Sequence, residues 1–207
     1  MTDTTFFDLG PNVSRETFDK LKSFEALVRK WNPRINLISR STLDDLFNRH
    51  IVDSVQIFDA IGNNFSHWAD FGSGGGFPGI VIGIIASDVA PDAKISLVES
   101  DARKCAFLRE ASRQLDLNVK VFNDRIEKIE PLKADVISAR ALARLDLLCG
   151  FAKIHGIPDT RAVFPKGESY FDEISEAQRS WKFDLETLPS KTEPKSAILK
   201  LRNISNA

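Results

Sequence analysis

A chain of 207 residues, 43% hydrophobic and 28% charged, has the length and composition of one globular domain with a sizeable core. It contains no run of eighteen apolar residues, so no membrane-spanning helix is expected, and a net charge of −1 argues against a protein that coats nucleic acid without specificity. The start, Met1-Thr2-Asp3-Thr4-Thr5-Phe6-Phe7-Asp8, lacks a basic, apolar leader pattern, and Cys105, Cys149 and three scattered histidines lack metal-type spacing. A cytoplasmic protein with reduced thiols and no metal is expected.

Ser14 is placed to cap a first helix running to about Trp31, with Phe18, Leu21, Phe24 and Leu27/Val28 at helical spacing and Asn32-Pro33 ending it. Residues 34–39 read as a connector. Ser41 or Thr42, three residues before Asp44 or Asp45, resembles a capping box for a second helix to about Ile61. Its apolar stripe is Leu43, Phe47, Ile51, Val55 and Phe58. This pair has no evident part in building a sheet and reads as a helical appendage over residues 1–64. The span between Arg29 and Arg49 holds five basic residues against two acids, a local basic stretch in a chain that is otherwise balanced.

From Trp68 the pattern alternates. Strands are expected at 68–71, 95–99, 119–123, 134–138 and 161–165, and helices at 79–87, 102–116, 142–155 and 169–181. Such alternation predicts an α/β fold with a doubly wound, mostly parallel sheet over residues 65–207. Residues 183–188 and 197–201 look like a strand pair joined by a polar loop carrying Pro189 and Pro194. That ending gives the sheet an antiparallel last strand instead of a sixth βα unit.

The stretch Asp70-Phe71-Gly72-Ser73-Gly74-Gly75-Gly76-Phe77-Pro78-Gly79 holds five of the eleven glycines and sits between an expected strand and a buried helix. Glycines are required there for turns with positive φ and for close approach of a ligand to backbone. Gly74, Gly76 and Gly79 satisfy the G-x-G-x-x-G of nicotinamide dinucleotide folds, with Glu99 twenty residues on. Asp70, Gly72, Gly74 and Gly76 equally satisfy the D-x-G-x-G-x-G of class I S-adenosylmethionine (SAM) methyltransferases. The Asp70 start and the C-terminal strand pair favour the Rossmann-like methyltransferase sheet. In either fold the ligand lies outside the carboxyl ends of the strands, where Glu99 can accept ribose hydroxyls and Asp124-Arg125-Ile126-Glu127 can flank an adenine. Arg140 and Lys166 close the fourth and fifth strands and are expected at the same mouth. A second constellation lies in the appendage: Asn36, then Arg49-His50-x-x-Asp53, in which Arg49 and Asp53 could pair at i,i+4.

The glycine stretch with its Phe77-Pro78-Gly79 tail, Trp31-Asn32 through Asn36-Leu37, Arg49-His50-Ile51-x-Asp53-Ser54, Arg103-Lys104-x-x-Phe107-Leu108, Ser138-Ala139-Arg140-Ala141 and Lys166-Gly167 resemble the glucose-inhibited division protein B family over roughly residues 18–170. These are bacterial 16S ribosomal RNA guanine-N7 methyltransferases. The resemblance implies a cytoplasmic enzyme that uses SAM and methylates one guanine of 16S rRNA or the small ribosomal subunit; a monomer is expected. It maps cofactor contacts onto Gly72, Phe77, Ile126, Glu127 and Arg140, beside Asp70, Gly74, Gly76 and Glu99 of the motif. Arg140, Lys166, Asp53, His50, Arg49 and Asn36 are then expected to position the RNA, with Asp53 or Asn36 reading the base. The family often carries Ala or Pro where this chain has Gly75, and Asp where it has Glu99. Methylation of another RNA or of a small molecule is the alternative.

Overall fold

The computed structural model describes Leu9 and residues 13–207; the leader pattern judged absent from Met1–Asp8 lies outside the described residues. Its centre is a seven-stranded sheet in the order β3-β2-β1-β4-β5-β7-β6, built from β1 (His67–Phe71), β2 (Lys94–Val98), β3 (Val119–Phe122), β4 (Ala134–Ala139), β5 (Gly156–Lys166), β6 (Trp181–Pro189) and β7 (Ala197–Asn206). Strands β1 to β5 pair in parallel, and β7 runs antiparallel to both β5 and β6. The central parallel strands β1, β2 and β4 are almost wholly buried, whereas β3 at the sheet edge is only partly buried and the first half of β5 is largely exposed.

One face is covered by α1 (Arg15–Ile35), α2 (Asp53–Ile61), α3 (Gly79–Val89) and α4 (Ala102–Gln114). An unbroken apolar cluster joins Leu21, Phe24 and Val28 of α1 and Val55 and Phe58 of α2 to Ile80, Ile84 and Leu108 of α3 and α4. The other face is covered by α5 (Leu145–His155) and α6 (Tyr170–Ala177), around Phe71, Leu148, Phe151 and Phe164. Among the described residues no helix is long and apolar enough to cross a membrane.

Two local expectations are corrected. Ser14 does cap α1, its Oγ accepting the Thr17 N–H at 3.1 Å, but Pro33 lies inside the helix instead of ending it. The reason lies in Asn32. Its carbonyl accepts the N–H of Asn36, which takes a left-handed conformation (φ 51°), and its buried side chain accepts the Ile38 N–H at 2.9 Å. The last turn is thus closed beyond the proline. The second helix is likewise not one continuous α-helix from residue 41. A 3-10 turn covers Arg40–Thr42, a π-helical turn covers Phe47–Val52, and only then does α2 begin. The wide turn shifts the residues off i,i+4 rows, so Arg49 does not pair with Asp53.

Candidate active site

A cleft of about 610 Å³ opens over the carboxyl ends of β1, β4 and β5 and the start of β7. This end is where a doubly wound sheet binds ligands, because strand order reverses there and loops leave a crevice. One wall is the glycine loop. Gly72, Gly74 and Gly76 all have positive φ (64°, 52° and 87°), which other residues adopt at a cost. Gly75 has a different reason: a Cβ there would stand 2.9 Å from the Leu37 carbonyl oxygen. The connector after α1 therefore packs directly on the loop.

Glu99, just past β2, secures the same loop. Its Oε2 accepts the Gly74 N–H at 2.9 Å and its Oε1 the Asp101 N–H at 2.8 Å. Each carboxylate oxygen keeps a further lone pair, so both bonds are compatible with accepting ribose hydroxyls. Ile126 is buried beyond β3, its carbonyl accepting a hydrogen bond from His155 Nε2 at 3.0 Å, while Glu127 beside it is exposed. Glu99, Ile126 and Glu127 do not line the cleft itself; they follow the ends of β2 and β3.

Asp70 lies under the loop, wholly buried. Its Oδ1 accepts the Ser138 Oγ–H at 2.7 Å, Ser138 Oγ accepts the Trp68 indole N–H at 2.9 Å, and Oδ2 has no hydrogen-bond partner. Burial raises the Asp70 carboxyl to about 6, opposed by the hydroxyls of Ser138 and Ser73 and by the Arg140 charge. Asp70 supports the glycine loop from below without touching the cleft, and Gly76 likewise faces inward, toward Phe24 and Ile80.

The opposite wall comes from the π-helical turn. Arg140, after β4, donates from one guanidinium nitrogen to His50 Nδ1 at 2.9 Å and from the other to Asp53 Oδ2 at 3.4 Å, with its guanidinium carbon 5.4 Å from the centroid of the Phe77 ring. A guanidinium only donates, so His50 must accept at Nδ1 and carry its proton on Nε2. That proton is given to Thr42 Oγ1, 2.9 Å away. Burial first, then the charges of Arg140 and Arg49, lower the His50 pKa to about 4, which agrees with a neutral ring. Lys166 also lines the cleft, but its ammonium is engaged: it donates to the Ala143 carbonyl and to Glu173 Oε2 of α6, both at 2.7 Å.

Arg49, His50, Asp53, Arg140 and Lys166 thus meet in one cleft, together with Gly72, Gly74 and Phe77. Asn36 does not join them; it is exposed at the end of α1. Sequence reasoning found the β6–β7 loop but did not place it at the cleft. Ser190, Thr192, Glu193 and Ser196 line the cleft. The loop is tied down by Thr192 Oγ1–H to Asp53 Oδ1 at 2.8 Å, by the Lys191 N–H to Gln56 Oε1 at 2.9 Å, and by an Arg49–Glu193 ion pair at 3.0 Å. Pro189 and Pro194 mark it as a loop, but nothing in its own residues says which strand ends it covers.

The sheet and its helices superpose on solved methyltransferases: an SAH-bound methyltransferase from Podospora anserina (TM-score 0.63, 15% identity, 89% of this chain and 87% of that one) and an SAM-dependent methyltransferase from Aquifex aeolicus (TM-score 0.58, 13% identity, 86% and 96%). At such identities the likeness establishes the fold, that of class I SAM-dependent methyltransferases. Sequence relatives say more. A protein of Cereibacter sphaeroides (strain ATCC 17029) named ribosomal RNA small subunit methyltransferase G is 50% identical over 94% of this chain and 95% of its own length. One of the same name from Ruegeria sp. (strain TM1040) is 48% identical over 95% and 96%. The family model described as rRNA small subunit methyltransferase G matches residues 17–199, a span that takes in both walls of the cleft and the β6–β7 loop, and the chain belongs to that family.

Proposed function

We propose that the enzyme methylates N7 of one guanine in 16S rRNA, with SAM as donor. The observation that carries this reading is the convergence on one cleft of a glycine loop suited to a nucleoside cofactor and a separate polar wall, Arg49, His50 and Asp53, that cofactor binding does not require. The residues fit SAM: the loop offers a wall free of side chains at Gly72, Gly74 and Gly75, and Glu99 stands beside it with lone pairs to spare for a ribose. Gly72, Gly74, Phe77, Glu99, Ile126 and Glu127 would hold the cofactor, with Asp70 and Gly76 supporting the loop from beneath. Bound there, SAM supplies a methyl group on a positively charged sulfur, which guanine N7, with an in-plane lone pair and no proton, can accept without a general base.

The chain's own task is then alignment and electrostatics. A donor placed on N7 would block the reacting lone pair, so the cations must act elsewhere. Arg140 is fixed by His50, Asp53 and Phe77 and points its charge at the cleft without a free run to the base. Lys166 is held by Glu173 and shapes the floor. Reaching a base in RNA requires an unstacked guanine, so a loop nucleotide is the expected target. We further propose a monomer working in the cytoplasm, with residues 1–64 as a helical appendage packed on a methyltransferase core of residues 65–207. Incubation with radiolabelled SAM tests the reading: label should enter unmethylated small subunits or deproteinised 16S rRNA, in guanine N7, and not small metabolites. Label confined to small molecules would overturn it.

A further inference from the structure

We infer that Glu193, in the loop between β6 and β7, is the carboxylate that receives the target guanine's N1–H and N2 donors. The inference rests on the guanine methylation proposed above and assigns the base-reading group within it. Guanine presents adjacent donors at N1 and N2, and a carboxylate accepts from both at once. This edge lies away from N7, so a reader there fixes the base while the reacting nitrogen stays clear of donors.

Three carboxylates line the cleft among the described residues: Asp53, Glu173 and Glu193. Asp53 is committed. Its Oδ1 accepts from Gln56 Nε2 at 2.9 Å and from Thr192 Oγ1 at 2.8 Å, and its Oδ2 faces Arg140, with the side chain only 20% exposed. Glu173 is committed as well. Its Oε2 accepts from Lys166 Nζ at 2.7 Å and from the Leu145 N–H at 3.0 Å, and withdrawing it would strand a lysine whose side chain is 8% exposed. Glu193 differs from Asp53 and Glu173 in its exposure and in having an exposed partner, Arg49, in place of largely buried ones. Its side chain is 41% exposed, its one side-chain partner is Arg49 on Oε2, and Oε1 makes no hydrogen bond among the described residues.

The carboxylate is also held in place. The Glu193 N–H donates to Ser190 Oγ at 3.2 Å, its carbonyl accepts the Ser196 N–H at 2.9 Å, and the neighbouring Thr192 is anchored on Asp53. A reading group on a loop gains specificity only if the loop is fixed, and this one is fixed on both sides of the residue. In the sheet order the glycine loop leaves β1 and the hairpin loop enters β7, with β4 and β5 between them. A base lying across that interval can turn its N1–N2 edge to Glu193 and its N7 edge to the cofactor wall. Arg49 steadies the carboxylate through its 3.0 Å ion pair with Oε2.

The test replaces the target guanine by inosine, which lacks the N2 amine, in 16S rRNA assembled from synthetic and transcribed segments. The wild-type enzyme should prefer guanine by about ten- to a hundredfold in kcat/KM, the range of one good bidentate base contact. Glu193→Gln presents an amide donor toward N2 and should reduce that preference to within about threefold, with SAM affinity by calorimetry unchanged. A Glu193→Gln enzyme that keeps the wild-type preference, or a wild-type enzyme that turns over both RNAs equally, would overturn the assignment while leaving the methylation itself standing. No transfer by the wild-type enzyme to guanine-containing RNA would instead remove the proposed activity, and this inference with it.

Discussion

Replacing Asp70 by Asn should make the protein's relative stability depend on pH in a way the wild-type geometry dictates. Asp70 is fully buried between β1 and β4, with one oxygen bonded to Ser138 and the other unpartnered. Burial raises its carboxyl from 3.8 to about 6. Because the folded-state value lies above the unfolded one, the stabilisation belongs to the protonated form. It is fully present below about pH 3.8 and is lost as pH rises through about 6. A shift of this size corresponds to about 3 kcal/mol in full, and to about 2 kcal/mol between roughly pH 4.5 and 7.5. Asn cannot ionise, so the difference between the variant and the wild type should move by that amount in the variant's favour across the interval. Whatever constant penalty the new amide N–H brings cancels in the comparison. Urea unfolding of both proteins at several pH values measures it directly. A stability difference that stays flat from about pH 4.5 to 7.5 would refute the reasoning, since it would mean that Asp70 gains no proton affinity on folding.

Arg140→Ala should abolish methyl transfer or SAM binding, whereas His50→Ala should leave SAM binding intact and depress RNA turnover; calorimetry with SAM beside a labelled-methyl assay separates the two, and unchanged turnover in both variants would remove the roles proposed for them. His50 has a depressed folded-state pKa of about 4, so its contribution is present above pH 6.5 and lost as pH falls through about 4. His50→Gln, which can accept from Arg140 and donate to Thr42 without titrating, should lower the acid-unfolding midpoint, with a gain of about 1 kcal/mol once solvent screening of the partly buried ring is allowed for. An unshifted midpoint would contradict a neutral His50. Thr192→Val removes the loop's bond to Asp53 and should cost about 1 kcal/mol in chemical denaturation while raising KM for RNA more than it lowers kcat.

What could be read before folding was whatever depends on neighbours along the chain. The Ser14 cap, the strand–helix alternation from Trp68 and the need for positive φ at Gly72, Gly74 and Gly76 are local demands, and the structure meets them. The C-terminal strand pair was legible for the same reason. Even local reading failed where one side chain changed the outcome. Asn32 closes α1 beyond Pro33, and a π-helical turn replaces the regular spacing of Arg49 and Asp53.

The composition of the cleft is a different kind of fact. Arg49, His50, Arg140, Lys166 and Glu193 are spread over most of the chain: the ends of β4 and β5 bring Arg140 and Lys166 to the π-helical turn that carries Arg49 and His50, and Glu193 joins them because β7 inserts beside β5 and carries its loop back over the strand ends. A hydrogen bond such as Thr192 to Asp53 joins residues that no periodicity relates. The sequence by itself determined most of the elements and the glycine loop, because turns, caps and apolar periods are set within a few residues, and the order of those elements together with Asp70 selected the class of cofactor. Only the tertiary structure decided which polar groups are already satisfied and which remain free to meet a substrate, because hydrogen-bond satisfaction is a property of spatial neighbours.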